Sequence, residues 1–134
     1  MLENLVRQYL EKFLPGAEEN FEFDATYGTI LDIEGDEGGF KIYIEPREDK
    51  AWFHCSLIKI PPRKRETFYQ SLLINQIFGE LTKGAHFSLN MEEQEVLLCL
   101  AIDISDGDAE KFNTHLMQFL ESCWLWRTTL EQWK

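Results

Sequence analysis

"FYQSLLINQIFGELTKGAHFSLN", residues 68–90, decides how the rest of the chain is read. Its first part has helix-forming side chains, yet the apolar ones do not keep to one side. At about 100° per residue, Phe68, Tyr69, Leu72 and Leu73 fall on one half of a helical wheel. Ile74, Ile77, Phe78 and Leu81 fall on the other. A surface helix of a small domain buries a single stripe. A helix over 66–81 with two stripes must place one on the sheet of its own chain and cover the other elsewhere. A two-fold dimer is the simplest cover, because one stripe then meets its own copy.

On either side of this stretch the patterns are regular. "HFSLN" and "EVLLCLAIDI" read as strands joined by a polar turn around Met91–Gln94. Upstream, "NFEFDA", "GTILDIEG", "GFKIYIEP" and "KAWFHCSLIKI" alternate apolar and polar residues, with "GDEGG" as a hairpin turn. In the last of these runs Trp52, His54, Ser56 and Ile58 share one face; Phe53, Cys55, Leu57 and Lys59 share the other. Leu2, Leu5, Val6, Tyr9, Leu10, Phe13 and Leu14 define an amphipathic first helix stopped by Pro15 and Gly16. Phe112, Leu116, Phe119, Cys123, Trp126, Leu130 and Trp133 line one face of a long last helix, with Ser105, Asp106 and Asp108 as capping candidates. The expected fold is α+β: one domain over 1–134, a mostly antiparallel sheet and three helices in the order α-β-β-β-α-β-β-α.

The 134 residues carry a net charge of −11. That excludes a nucleic-acid reader, which needs a basic face, and disfavours an anionic membrane surface. No run approaches a membrane span, and the N-terminus does not read as a signal peptide. Cys55, Cys99 and Cys123 are odd in number and set among apolar residues, which suits reduced thiols in a cytoplasmic protein.

Catalytic signals are weak. His54 and Cys55 are adjacent, so a strand sends them to opposite faces. No His/Cys spacing suggests a metal, and "DISDGD" (103–108) departs from a calcium loop in its spacing. No glycine-rich phosphate loop precedes a helix. No catalytic residue, metal or cofactor is expected. "RKR" (63–65) is the only dense basic spot. Aromatic residues make up 13% of the chain, more than one small interior needs, so some should form exposed patches.

The element order and "FYQSLLINQIFGELTKGAHFSLNMEEQEVLLCLAID" resemble the class I type III secretion chaperones, the Tir-chaperone-like family. Leu72, Leu73 and Asn75–Gln76 stand in the family's helix pattern, followed by Gly79 and Gly84, Phe87–Leu89 and Val96–Ile104. "DAEKFNTHLMQFLESCWLW" is similar to its closing helix. The "PPRKR" stretch and the Trp124, Trp126, Trp133 cluster are departures. The resemblance implies a cytoplasmic homodimer, with no enzymatic activity and no nucleotide or metal. It would hold the N-terminal region of one or more secreted effectors extended; the secretion ATPase or regulatory proteins are further partners it leaves open. The effector-binding candidates are Leu5, Tyr9, Phe21, Phe23, Ile30, Ile42, Trp52 and His54, taken as exposed on the first helix and first strands. The dimer candidates are Phe68, Leu72, Asn75, Gln76, Phe78, Gly79, Phe87 and Leu89. Alternatives are a regulatory adaptor on the same scaffold and a small hotdog-like enzyme using Glu80, His86 or Asp32.

Overall fold

Residues 1–35 and 38–133 are described in a computed structural model, the side chain of Phe78 excepted. The alternating runs pair by short connections into an antiparallel sheet: β1 (Thr29–Ile33), β2 (Phe40–Arg47), β3 (Lys50–Lys59), β4 (His86–Asn90) and β5 (Glu95–Asp103). The strand order is β1-β2-β3-β5-β4, so β1 and β4 are the edges. The helices are α1 (Leu2–Phe13), α2 (Arg65–Asn75) and α3 (Ala109–Trp133). None of the described helices is long and apolar enough to cross a membrane.

One face of the sheet makes the core. Leu31, Ile42, Cys55, Leu98 and Phe87 lie side by side across all five strands, each buried. α3 packs on this face: the Phe53 ring lies 5.8 Å from Phe112 and 5.6 Å from Phe119, centroid to centroid. Asp108 starts α3, its carboxylate accepting the backbone N–H of Glu110 and Lys111 at 3.0 and 3.2 Å, as an N-cap should. α1 completes the layer with Leu2, Leu5, Val6, Tyr9 and Leu10 buried. At the other end of α3, Arg127 donates to the carbonyls of Gly38 and Gly39 at 2.9 and 3.2 Å. Its guanidinium carbon sits 4.0 Å from the Phe40 ring and 4.5 Å from Trp124, which pins the β1–β2 hairpin to the helix. The hairpin turn expected at "GDEGG" includes Asp36 and Glu37, which lie outside the described residues.

Three expectations are corrected. "NFEFDA" is not a strand. The Asp24 carboxylate accepts the N–H groups of Thr26 and Tyr27, and the Asp24 and Gly28 backbones bond each other, so the chain folds back at once. Gly28 takes φ +77°, where a Cβ would collide with the Ile44 carbonyl. α2 ends at Asn75 rather than continuing to 81; a 3-10 turn, Ile77–Gly79, follows, with Gly79 at φ +69°. Finally, β3 carries a bulge between Ser56 and Ile58. The extra residue breaks the two-residue alternation, so Leu57 and Ile58 are both buried and Lys59 is exposed.

Candidate partner-binding and assembly surfaces

The sheet face turned away from α3 is the more open one. Strand alternation places Ile30, Tyr43, His54, Cys99 and His86 in one row across it, and Glu45, Trp52 and Ala101 in the next. Tyr43 and His54 stack, with centroids 4.7 Å apart and planes 7° apart. His54 Nε2 lies 3.3 Å from Glu45 Oε1, and Arg47 reaches Glu45 Oε2 at 3.6 Å. The Arg47 guanidinium carbon is 5.5 Å from the Trp52 ring centre. These partly exposed polar contacts add little stability. Their effect is to hold large rings in fixed orientations on a half-buried surface.

Beside the β1 edge, a groove of about 530 Å³ is lined by Phe21, Phe23, Thr29 and Ile30. Ile30 is 50% exposed and belongs to both the groove and the open face. An extended segment can lie along such an edge and drop alternate side chains into the groove.

The structure thus brings together five of the eight predicted partner-binding residues: Phe21, Phe23, Ile30, Trp52 and His54. Leu5, Tyr9 and Ile42 are corrected, since all three are buried in the core of their own chain. Ile42 pairs with Cys55 on the α3 side; its neighbour Tyr43 is the outward residue of β2. Tyr43 and Glu45 escaped sequence reasoning. The pairing of β2 with β3 would have found them, because every residue opposite Trp52 or His54 shares their face.

α2 answers the question its sequence poses. Phe68 and Leu72 are buried within the chain, as is Phe87 of β4, so these three are corrected as dimer contacts. Leu73, Ile74, Ile77 and Leu81 are 54–64% exposed and continue toward Leu89 (39%) and Met91 (52%). Asn75 and Gln76 are engaged inside the subunit: Asn75 Nδ2 donates to the Ser71 carbonyl at 2.7 Å, and Gln76 Oε1 accepts the Phe87 N–H at 2.7 Å. Gly79 packs near Gly84. The side chain of Phe78 lies outside the described residues. Of the residues named for the enzyme alternative, Asp32 and His86 stand on opposite edge strands of the sheet. Among the described residues no group of His, Cys, Asp and Glu is arranged to hold a metal.

The family model for the Tir chaperone protein (CesT) family matches residues 8–127, from α1 nearly to the end of α3. The chain belongs to the Tir chaperone protein family. Both surfaces lie largely within the matched span. Solved structures share the fold, among them three complexes. The ExsC–ExsE complex aligns at TM-score 0.70 and 15% identity over 96% of this chain and 92% of that one. The HopA1–SchA chaperone–effector complex aligns at 0.61 and 14%, over 96% and 97%. The heterodimeric ExoU–SpcU complex of the type III secretion system of Pseudomonas aeruginosa aligns at 0.58 and 13%, over 88% and 91%. At these identities the likeness establishes architecture for this family member. No curated protein matches the chain.

Proposed function

We propose that the protein is a cytoplasmic type III secretion chaperone that binds the N-terminal region of secreted effector proteins and keeps it extended and competent for export. The observation that carries this reading is the coincidence of a Tir chaperone family match over residues 8–127 with an open sheet face bearing Tyr43, Trp52 and His54 beside the Ile30 groove. Ordering a disordered segment costs several kcal/mol, about 2–5, so the partner must wrap a large area. The open face, the β1 edge and the groove supply it on one subunit. The exposed stripe of Leu73, Ile74, Ile77 and Leu81 suits a homodimer, which doubles the surface. A working dimer interface buries about 1,600 Å² in total.

The test is affinity capture of the tagged chain from the organism that encodes it, followed by limited proteolysis of what is retained. The expected result is a secreted polypeptide protected only over an N-terminal, otherwise unfolded segment. Recovery of a partner held solely through a folded domain would overturn the reading.

A further inference from the structure

One feature at the opposite end of the sheet from the Ile30 groove has no part in effector binding as proposed above. Pro61, Pro62, Arg63 and Lys64 join β3 to α2 and wall a groove of about 480 Å³. Its floor is apolar: Ile60 and Phe68, both buried, and the half-buried indole of Trp133 at the end of α3. Its rim is cationic. Lys59 is engaged, donating to the Glu93 carbonyl at 2.8 Å. Arg65 is likewise engaged, donating to the Pro61 carbonyl at 3.0 Å. The Arg63 and Lys64 side chains are exposed and make no hydrogen bond or ion pair among the described residues.

We infer that this groove docks an acidic peptide segment of a partner protein, one bulky apolar side chain entering against Phe68 and Trp133 while flanking carboxylates meet Arg63 and Lys64. Charge complementarity carries the choice of occupant: two adjacent exposed cations, Arg63 and Lys64, line a groove with an apolar floor in a chain of net charge −11. Nucleic acid would need a wide basic face. An anionic bilayer would need a cluster of about four to eight cations. The volume lies within the range of about 300–1,000 Å³ for sites that enclose a ligand group. The rim is also pre-set. Two prolines fix the backbone before it, and Lys64 is held at φ +56°. A rigid site loses less freedom on binding.

The φ of Lys64 also supplies a clean variant. Glycine adopts a positive φ without strain, so Lys64→Gly removes the charge and keeps the turn. The experiment measures fluorescence anisotropy of a labelled short peptide of Asp and Glu around one central Leu, titrated with the full chain. The expected result is saturable binding that weakens at least about tenfold, or about 1.4 kcal/mol, in the Arg63→Gln/Lys64→Gly variant. That variant should melt as the parent does, and Trp52→Asp should bind the peptide unchanged. The Trp133 indole N–H resonance, assigned with Trp133→Phe, should shift on binding. Undiminished affinity in the double variant would overturn the inference. So would equal binding of a peptide with Ser in place of the Leu, or of phosphatidylserine vesicles or single-stranded RNA in place of the peptide.

Discussion

The side-chain oxygen of Gln76, just past the end of α2, accepts the backbone N–H of Phe87 on edge strand β4 at 2.7 Å. A sheet edge exposes unpaired N–H groups that invite aggregation, and here the Gln76 side chain closes one of them. Gln76→Leu removes the acceptor and leaves that donor part-buried, which should lower stability by about 1–3 kcal/mol. Gln76→Glu retains an acceptor and should cost less. Urea denaturation of the two variants distinguishes them, and equal losses would mean that the bond contributes nothing.

The apolar stripe of α2 makes a second prediction. Leu73 and Ile77 are exposed within the subunit, so Leu73→Glu/Ile77→Glu should leave the fold intact and convert a dimer to a monomer. Burial of one such side chain is worth about 1.5–3 kcal/mol, and each substitution occurs twice in a symmetric interface. Light scattering at micromolar concentration reads the outcome. A parent that is monomeric there refutes the assembly proposed.

On the open face, Trp52→Asp and Ile30→Asp should each weaken capture of the effector segment by about tenfold or more, given the apolar burial each residue offers. Neither should change the dimer. Tyr9→Asp is a different case. Tyr9 is buried on α1, and an unpaired charge there should unfold the chain rather than abolish binding in a folded one. Affinity by calorimetry beside far-ultraviolet dichroism separates the two behaviours.

The thiols predict an alkaline limb. The neighbouring Cys55 thiol and then burial push the Cys123 thiol far above the ordinary range. Burial also raises Cys99, although Ser88 opposes it. An unfolded thiol ionises near pH 8.5. Above that pH the unfolded chain binds fewer protons than the folded one, so stability falls as pH rises, by about 1.4 kcal/mol per pH unit for a thiol that stays protonated in the fold. The contribution is fully present below about pH 8.5. Cys123→Ala should flatten this limb in urea melts run across the alkaline range. Replacing all three cysteines should spare partner binding, because each is a free thiol rather than half of a disulfide.

Element types and their order could be read from the sequence because α1, β2, β3 and α3 each repeat one period over many residues. The α3 face was legible residue by residue: Phe112, Leu116, Phe119, Cys123, Trp126 and Leu130 are all buried. The errors arose where period alone is mute. Ile42 and Tyr43 are both apolar, so alternation showed that one faces out without showing which. "NFEFDA" alternates like a strand, yet Asp24 supplies a local turn that competes with any ladder. The two-faced pattern of 68–81 was genuine: Phe68 and Leu72 are buried while Ile74, Ile77 and Leu81 are exposed, although α2 ends at Asn75. The Ile30 groove depends on a loop folding back against an edge, which no local pattern encodes.

The bulge at Ser56–Ile58 has a consequence for how this scaffold varies. A regular strand can slip along its neighbour by two residues and still present the same faces. β3 cannot, because its doubled aliphatic pair, Leu57 and Ile58, fits the core at one position only, opposite Val96. The phase of the strand is therefore set from within, at one end. Trp52, His54 and their neighbours are free of that duty. Their identities can drift to suit one cargo or another while the pairing beneath them stays fixed.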